Sequence, residues 1–382
     1  MVQGVLVRSI ESVGEFDRMS SDWDALVGAG YPAFPFLCHD WFRIWLKHFS
    51  SGNRLRLFTY AQEGRVFAVA PLVLKNETYR GLRVRKLELM GNAYSPIRSF
   101  IFDFAAHGQP DRTVQAFFSS LCAGKDTSWD IVDLSALPEE SGFLESAGRY
   151  LSDHGYPFSE YPCFGDWYQD GIDCTGNEYV SRLPEKIRKD FQYCKRRLER
   201  EGRLEFRVVT STGHLEESLD MYYGVYGRSW QKQEKVGPTF HRDLARMAAQ
   251  KGWLRLAFLL HNDVPLAAQF WIVSGRTAYI LKTVYDQGYK KYSPGKVLTS
   301  EMFKHVIDVD GVTAVDYVQG DEEYKKDWTP RRRERRGILV YNGTARGRWL
   351  SLVDRGIVPF VNRDRRLRRL KQVLSGLVRS RK

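Results

Sequence analysis

Three strand-like runs joined by tight turns constrain the fold of this chain more than any other stretch. The runs are Leu254–Leu260, Val264–Val273 and Thr277–Tyr285. Their connections, His261-Asn-Asp263 and Ser274-Gly-Arg276, have the composition of hairpin turns. The spacing therefore predicts an antiparallel three-stranded meander.

A Ser-Pro-Gly turn follows the meander and opens a predicted helix that runs to about Ile307. Pro294 favours a turn, and Gly295 lacks the Cβ that would keep a ligand away from the backbone. A helix start leaves backbone N–H groups unpaired at the positive end of the helix dipole, which suits a phosphate or pyrophosphate. An ordinary loop-to-helix junction with solvated lysines is the alternative, and the flanking segments decide between the two.

Length and composition indicate a folded protein of two domains. At 382 residues the chain exceeds what a single hydrophobic core usually supports, roughly 250–300 residues. A hydrophobic content of 43% and an aromatic content of 14% allow substantial cores. We expect an N-terminal domain over 1–165, a C-terminal catalytic domain over 175–345 and a tail over 346–382, with Asp166–Gly176 as the linker.

The sequence also predicts a cytoplasmic location. Residues 1–20 carry Glu11, Glu15 and Asp17 and have no long apolar core, unlike a secretory signal. The longest apolar run, Val66–Leu74, is far shorter than the roughly 20 residues of a membrane span. Five scattered cysteines without a CxxC pair fit reduced thiols better than disulfides or zinc, and we predict no metal site.

Positive charge is concentrated at the C-terminal end. Of the formal net charge of +12, residues 361–382 contribute +8 (nine Lys or Arg and one Asp), which leaves +4 for the rest. Leu367, Leu370, Leu374 and Leu377 recur at helical spacing, so this tail is predicted to be a basic amphipathic helix. Such a helix would bind the inner face of a membrane, nucleic acid or a partner protein, and a disordered basic end is the alternative.

Helix and strand patterns outside the meander predict an α/β arrangement in both domains. A long helix over Leu183–Glu201 has one apolar face and one basic face. We favour a solvated role for the basic face over contact with tRNA or lipid. The other predicted elements are, in the first domain, strands Val5–Ile10, Arg54–Gln62, Arg65–Leu74, Arg85–Met90, Ile97–Phe102 and Trp129–Leu134 with helices Phe16–Val27, His39–Phe49, Thr113–Ala123 and Phe143–His154, and, in the second, strands Leu204–Val209, Ala314–Tyr317 and Gly337–Tyr341 with helices His214–Gln231 and Phe240–Gln250.

The order of elements in the second domain resembles that of the GNAT acyltransferase fold. Helices, a meander, a phosphate-type turn with its helix and two more strands follow one another. The residues Val264-Pro-Leu-Ala-Ala-Gln-Phe-Trp271, Leu281-Lys-Thr-Val-Tyr-Asp286, Tyr292-Ser-Pro-Gly-Lys-Val-Leu298 and Asp316–Trp328 resemble the BioF2-like (CelD-type) acetyltransferase domain, a relative of the FemABX transferases. The resemblance covers about residues 175–345 and, more loosely, the first domain.

This resemblance implies an α/β (α+β) fold of two tandem GNAT-like domains, each a mixed, mostly antiparallel sheet flanked by helices. It also implies acetyl-CoA or another acyl-CoA as the co-substrate. The sequence has Tyr-Ser-Pro-Gly where simple GNAT enzymes have an Arg/Gln-x-x-Gly-x-Gly/Ala turn, which points to the divergent branch of the superfamily.

The resemblance places the coenzyme on two elements. A bulged strand, here Ala267–Ile272, would offer its backbone to the pantetheine arm as if to an added strand. The turn would hold the pyrophosphate on its backbone N–H groups. The residues so implied are Gln269, Phe270 and Trp271 on the strand, Ser293, Gly295, Lys296, Val297 and Leu298 at the turn, and Lys325 near a phosphate.

Acyl transfer to an amine needs a neutral amine, hence a base or a desolvating pocket, and donors for the oxyanion. Asp286 and Asp316 are the candidate bases, because GNAT strands at this place splay around the thioester. Tyr285 or Tyr324 would protonate the departing thiolate. For each of the four, capping or bridging at a strand end is the structural alternative.

Three side chains are candidates for ligand contacts. Lys282 lies on an otherwise apolar strand, which favours a buried partner or a ligand carboxylate. Lys325 and Trp328 resemble the family's aromatic–lysine element, in which Trp328 would contact the substrate. An ordinary surface lysine is the alternative for Lys325.

The resemblance thus implies an acyl-CoA-dependent N-acyltransferase that acts on an amine, in particular an amino sugar or a lipid-linked envelope or exopolysaccharide precursor. A FemABX-type transferase using aminoacyl-tRNA is the first alternative, which the basic helix would suit. A non-enzymatic GNAT-like scaffold in polysaccharide biosynthesis is the second.

Overall fold

The computed structural model of this protein describes residues 4–29, 34–103, 108–122, 128–230 and 237–357. Within these residues the predicted fold class is confirmed, since helices flank mixed, mostly antiparallel sheets. The tail helix predicted at 361–382 lies outside the described residues.

The first half of the chain alternates strands with short helices. Helix α3, for example, buries Trp41, Trp45 and Leu46, which recur at helical spacing on one face. The elements are β1 (Leu6–Ile10), α1 (Val13–Asp17), α2 (Ser20–Ala29), α3 (His39–Phe49), β2 (Asn53–Leu55), β3 (Leu57–Gln62), β4 (Arg65–Ala70), β5 (Leu72–Tyr79), β6 (Leu82–Leu89), β7 (Ile101–Phe102), α4 (Gln109–Cys122), β8 (Ile131–Leu137), α5 (Phe143–Asp153) and β9 (Phe158–Gln169).

The second half opens with a capped helix. Thr175 and Glu178 form a capping box at its start, which pairs backbone donors that would otherwise be unsatisfied. The elements are α6 (Gly176–Ser181), α7 (Glu185–Glu201), β10 (Leu204–Val209), α8 (Leu215–Gly227), α9 (Pro238–Gln250), β11 (Leu254–His261), β12 (Val264–Ser274), β13 (Thr277–Tyr285), a 3₁₀ helix (Gln287–Tyr292), α10 (Pro294–Asp308), β14 (Ala314–Asp316), β15 (Arg331–Tyr341), α11 (Ala345–Leu352) and a π-helical turn (Val353–Ile357).

One large sheet runs through both halves. Its eleven strands, counted over the described residues, follow the order β10-β11-β12-β13-β14-β9-β15-β8-β6-β5-β2. The late strand β15 lies between β8 and β9 and is antiparallel to both. A smaller sheet, β1-β3-β4-β7, packs in the first half. Residues 331–341 therefore complete a sheet that the first half of the chain begins.

The predicted meander is confirmed, as are α3, β10 and the hairpin of β3 and β4 with its turn at Glu63-Gly64. Several predicted boundaries are wrong. The helix predicted over Phe16–Val27 is two helices, and the strand predicted over Arg65–Leu74 divides at Pro71, which cannot donate to a ladder. Its two parts, β4 and β5, belong to different sheets.

Two further corrections concern charged segments. The linker predicted at Asp166–Gly176 begins inside β9, a strand that the sequence pattern did not indicate. The strand predicted over Gly337–Tyr341 begins at Arg331, so the arginine run Arg331–Arg336 is the first part of β15. Its inward arginines find acidic partners, so the strand tolerates them. The division into domains at 1–165 and 175–345 stays a prediction.

Helices of the first half pack against the sheet of the second. Trp41 and Phe36 join Phe258 and Tyr279 in one hydrophobic cluster, and the rings of Phe36 and Tyr279 meet edge to face at 5.3 Å. A separate cluster on the opposite face of the sheet buries α7 and α10. The two halves therefore share a core around β13, the strand that carries the candidate site.

Candidate active site

The parallel strands β13 and β14 separate after a short pairing and leave a cleft. Residues 277–279 pair with residues 314–316. Strand β13 then continues to Tyr285, whereas β14 ends, and no described strand pairs with this side of β13 beyond Tyr279. This edge of β13 therefore has backbone N–H and C=O groups with which an extended ligand could pair.

Both halves of the chain line the cleft, which has a volume of about 290 Å³. Aromatic rings form much of its wall, and a smaller set of polar side chains projects among them. The rings belong to Trp41, Tyr94, Trp230, Phe240, Tyr317 and Tyr324, and the polar groups to His241, Lys282, Gln319, Glu322 and Lys325.

A β-bulge lies at the start of the open edge. Phe270 pairs with Lys282 and Trp271 pairs with Ile280, so Leu281 is the extra residue on β13. Residues 280–283, at and beside the bulge, line the cleft. The sequence predicted a bulge on Ala267–Ile272, whereas the extra residue lies on the neighbouring strand β13.

The backbone of Ala267–Ile272 has no free edge for a ligand, contrary to the prediction. These residues pair with β11 on one side and with β13 on the other. The side chain of Gln269 donates to Thr299 Oγ1 at 2.7 Å and accepts from Trp271 Nε1 at 3.0 Å. Phe270 is buried on the other face of the sheet. All three side chains therefore hold β12 to its neighbours.

A strained turn forms one wall of the cleft. Val318 has a φ of 57°, which is rare for a β-branched residue. Gln319 N donates to Tyr317 O at 2.6 Å, closing a three-residue γ-turn around Val318. Asp316 Oδ1 accepts from Val318 N at 2.6 Å. Such backbone strain costs on the order of 1–3 kcal/mol and persists only where the surroundings enforce it.

A buried charge cluster enforces this turn. Asp316 accepts a hydrogen bond from Arg333, whose Nε also donates to Asp166 Oδ2 at 2.8 Å. Arg335 donates to Glu140 Oε2 at 3.0 Å and to Asp166 Oδ2 at 3.1 Å. Burial, and next the charge of Asp166, raise the pKa of Asp316 to about 8. Asp316 is not among the residues that line the cleft, and both its oxygens have partners, so its role as a base stays a prediction.

Asp286 also has partners outside the cleft. Its Oδ2 accepts from Arg228 Nε at 2.6 Å, and its Oδ1 accepts from Gly288 N at 2.8 Å as the cap of the 3₁₀ helix. The neighbouring Tyr285 packs its ring 4.4 Å from that of Trp230, at the mouth of the cleft. The structure therefore does not bring the two predicted bases, Asp286 and Asp316, together around one ligand.

The start of α10 lies against the far end of the open edge. A Cβ on Gly295 would lie 3.2 Å from Tyr285 Cδ1 and 3.8 Å from Thr283 Cγ2, so glycine permits this close approach. Lys296 N and Val297 N already donate to Ser293 O, and the Lys296 ammonium pairs with Asp190 at 2.5 Å.

The side chains of Val297 and Leu298 are fully buried in the core. Fewer donors than predicted thus point outward from this turn. Phosphate binding there stays a prediction.

Tyr324 and Lys325 lie at the cleft as a pair. Lys325 is buried, with its Nζ donating to Gln319 O and lying 2.7 Å from Glu322 Oε2. The Lys325 ammonium also lies 5.5 Å from the centre of the Tyr317 ring, a cation–π distance. The positive φ of Gly320 and the absence of a Cβ there leave room for the Glu322 carboxylate and the Lys325 ammonium. A cation is therefore held at the cleft beside the strained turn.

The two predicted substrate contacts separate in the structure. Lys282 lines the cleft, with its ammonium 5.9 Å from the Tyr94 ring centre. Trp328 instead stacks between Phe303 and Phe191 in the core and lines a different cavity of about 410 Å³. Trp328 is therefore a core residue and not a contact in the cleft.

Sequence reasoning missed the contribution of the first half to the cleft. Trp41, Tyr94 and Pro96 form a wall that meets the second half where Gln319 Nε2 donates to Ala93 O at 3.1 Å. The only signal was the aromatic-rich helix at His39–Phe49, which is equally typical of a core. No group of residues in the described ranges could hold a metal ion, and none of the described helices could span a membrane.

Comparisons with known proteins agree with this geometry. Residues 185–326 match the acetyltransferase (GNAT) domain family. The fold is similar to that of FemX, with a TM-score of 0.57 and 12% identity over 87% of this chain and 96% of that one. L-PGS from Bacillus licheniformis gives a TM-score of 0.51 and 13% identity over 90% and 97% of the two chains. No curated protein sequence matches the chain.

The open splay, the bulged strand and these matches define the class of the protein, an enzyme with the fold of GNAT-superfamily acyltransferases. More narrowly, residues 185–326 match a GNAT acetyltransferase domain within a fold similar to that of FemX, which supports an N-acyltransferase.

Proposed function

We propose that the chain is an acyl-CoA-dependent N-acyltransferase whose donor lies along the open edge of β13. The observation that carries the proposal is the splay of β13 from β14, with a bulge at its start and a cleft of about 290 Å³ beside it. Acetyl-CoA is the simplest donor. Its pantetheine amides would pair with the edge as an added strand does, and its phosphates would lie towards the start of α10.

The cleft supports direct transfer. The neutral amine attacks the thioester carbonyl, a C–N bond forms, the C–S bond breaks, and the proton lost by the amine goes to the thiolate. Lys325 and the backbone N–H groups at the bulge would stabilise the oxyanion, and Tyr324 would relay the proton. The aromatic walls exclude water and so favour the neutral amine. A dedicated carboxylate base is not required in this scheme, which fits the engagement of Asp286 and Asp316 elsewhere.

The lining also indicates the acceptor. Tyr94, Trp230 and Tyr324 offer ring faces on which the apolar face of a sugar can stack, and Lys282 and Lys325 would favour an acidic group. An amino sugar that carries a phosphate or carboxylate, as in an envelope or exopolysaccharide precursor, combines these features. We propose this acceptor class.

Titration calorimetry of the full chain with CoA and acetyl-CoA tests the donor. Release of free thiol in the presence of amino sugars tests the transfer itself. We expect donor binding that saturates at one site and thiol release that depends on the acceptor. The absence of binding by any CoA thioester to the folded chain would falsify the proposal.

A second donor, aminoacyl-tRNA, is favoured by one observation. Helix α7 exposes a stripe of Lys186, Lys189, Tyr193, Arg196 and Arg200, spaced by three and four residues. Such a stripe would suit a phosphate backbone with a base stacked on the tyrosine. This candidate predicts tRNA binding that weakens steeply with salt, and no binding of CoA.

Cytoplasmic residence, with peripheral contact to the inner face of a membrane through the 361–382 tail, is also a proposal. Its support is the charge of that tail, +8 over these residues.

A further inference from the structure

Helix α11 and the tip of the β5–β6 hairpin form a surface with two exposed apolar side chains among arginines. Trp349 is 44% exposed and Leu352 is 64% exposed. They lie three residues apart on α11, so they share one face of the helix. Six arginines surround them or border the adjoining hairpin, and we call the whole set the α11 platform: Arg80, Arg83, Arg85, Arg346, Arg348, Trp349, Leu352 and Arg355.

The α11 platform is fixed to the large sheet. Leu350 is buried with Val84, Ile131 and Tyr341 beneath the helix. Asp354, in the turn that follows, accepts from Tyr79 Oη at 2.7 Å, Tyr341 Oη at 2.8 Å and Arg80 Nε at 2.7 Å. The exposed Trp and Leu are therefore presented on a rigid base, and their exposure is not the result of a loosely attached helix.

Charge on the α11 platform is strongly positive. Two buried aspartates, Asp130 and Asp354, pair with Arg85, Arg346 and Arg80. Six arginines against these two aspartates and Glu77, which lines the adjoining groove, leave a formal excess of +3. A groove of about 610 Å³ runs between the hairpin and α11, lined by Arg83, Arg85 and Arg346 among others. Guanidinium groups in a groove suit phosphate oxygens.

We propose that the α11 platform contacts the surface of a membrane rich in anionic phospholipid. Tryptophan and leucine beside arginines are typical of side chains that enter the interfacial layer while the cations stay at the phosphates. The chain leaves the platform at Ile357 and continues into a sequence with a net charge of +8 over residues 361–382. Both charges attract the same anionic surface, although the proposal requires only the described residues.

Two other occupants fit less well. A second copy placed symmetrically on the α11 platform would bring six arginines against six, which disfavours that contact. A nucleic acid would use the arginines, but it would leave Leu352 without an apolar partner. The stripe on α7 provides the comparison, because it is equally basic and has no exposed aliphatic side chain among its members.

Sedimentation of the full chain with vesicles tests the proposal. We expect binding to phosphatidylcholine vesicles that contain about one third phosphatidylglycerol, and little binding to pure phosphatidylcholine. The double variant Trp349→Ser/Leu352→Ser should weaken binding by at least about tenfold, and so should Arg83→Gln/Arg348→Gln/Arg355→Gln. The matched control is Lys186→Gln/Arg196→Gln/Arg200→Gln on α7, which should bind as the unaltered chain does. Thermal unfolding must show that every variant is folded.

Three outcomes would overturn the proposal. The first is equal binding of the unaltered chain to neutral and anionic vesicles. The second is unchanged vesicle binding by the Trp349→Ser/Leu352→Ser variant, which would assign the contact to residues beyond 357. The third is an equal loss in the α7 control, which would make the contact a general effect of charge. If the platform variants instead lose retention of RNA on filters, the occupant is a nucleic acid. If they lose self-association in light scattering, the occupant is a second copy of the chain.

Discussion

The described residues contain two parallel strand pairs, β13 with β14 and β6 with β8, and only the first leaves an open cleft beyond its paired residues. In the second half β13 and β14 pair up to Tyr279 and Asp316 and then separate around the cleft. In the first half β6 and β8 pair up to Glu88 and Asp133. In each pair the last paired residue of the later strand is an aspartate, Asp316 or Asp133. A residue with a φ of 57° comes shortly after it: Val318 two residues after Asp316, and Ala136 three residues after Asp133.

The two pairs differ because Arg98 occupies the space beyond the paired residues of β6 and β8. Arg98 N donates to Ala136 O at 3.2 Å, and its side chain donates to Ser135 Oγ at 2.6 Å. A Cβ on Gly91, just after β6, would lie 2.7 Å from Arg98 Cδ. The chain itself thus occupies, in the first half, the position that a ligand would take in the second. A shared backbone design becomes a binding site only where no side chain or segment completes it.

The largest expected effect comes from placing an arginine side chain in the cleft between β13 and β14, as Arg98 does beside β6 and β8. Thr283→Arg places a long cation at the open edge of β13 and should reduce donor affinity at least about 100-fold, because the edge is blocked. Thr277→Arg, at the paired start of the same strand, is the matched control and should leave affinity within a factor of about two. Calorimetry with acetyl-CoA measures both. Equal loss in the two variants would mean that the open edge is not the donor site.

Removing the Arg98 side chain from the space beyond the β6–β8 pair should destabilise the protein. Arg98→Ala leaves the Ser135 hydroxyl and Ser95 O without their side-chain donor and creates a cavity, so we expect a loss of about 2–4 kcal/mol in the free energy of unfolding. Urea denaturation gives the value. Arg83→Ala, at an exposed position of the hairpin, is the control and should change it by less than about 0.5 kcal/mol. A loss that small for Arg98→Ala would show that the arginine does not stabilise the structure beyond the β6–β8 pair.

Substitutions at Lys325 and Lys326 compare a lysine that lines the cleft with a neighbouring lysine on the surface. Lys325→Met removes the cation at the strained turn and should lower acyl transfer by about tenfold or more, measured at a temperature where thermal unfolding shows the variant to be folded. Lys326 is exposed and pairs with Glu323, so Lys326→Met should stay within about twofold. Thiol release under single-turnover conditions is the measurement. Similar rates for the two variants would remove Lys325 from the mechanism.

A dependence of stability on pH should also appear. The pKa of Asp316 is raised to about 8 in the folded chain, against about 3.9 for an unfolded aspartate, so the folded state binds this proton more tightly. Its contribution is therefore largest below about pH 4 and is lost as the pH rises towards 8, by at most about 1.4 kcal/mol per pH unit. In Asp316→Asn this part of the slope should vanish when urea unfolding is compared at several pH values. An unchanged slope would show that Asp316 does not carry the proton.

Much of the fold follows from local pattern, and the cleft follows only in part. The meander, α3 and α10 were predictable because periodic apolar residues and strong turn signals coincide there. The role of β9 and β15 was not, since Asp166 and Arg333 are charged residues whose burial depends on each other across more than 160 positions. The open edge was placed on the wrong strand because sequence shows a strand but not which neighbour it lacks. Tyr94 and Trp41 reach the cleft only through the packing of one half on the other.

The position of β15 has a consequence for synthesis of the chain. Strands β8 and β9 are about 200 and about 170 residues ahead of the strand that joins them, so a ribosome releases both long before their partner exists. Until residues 331–341 emerge, two unpaired edges in the first half are open to incorrect pairing. Folding of the N-terminal half therefore waits for nearly the whole chain, and a nascent or truncated product should depend on chaperones in a way that the finished enzyme does not.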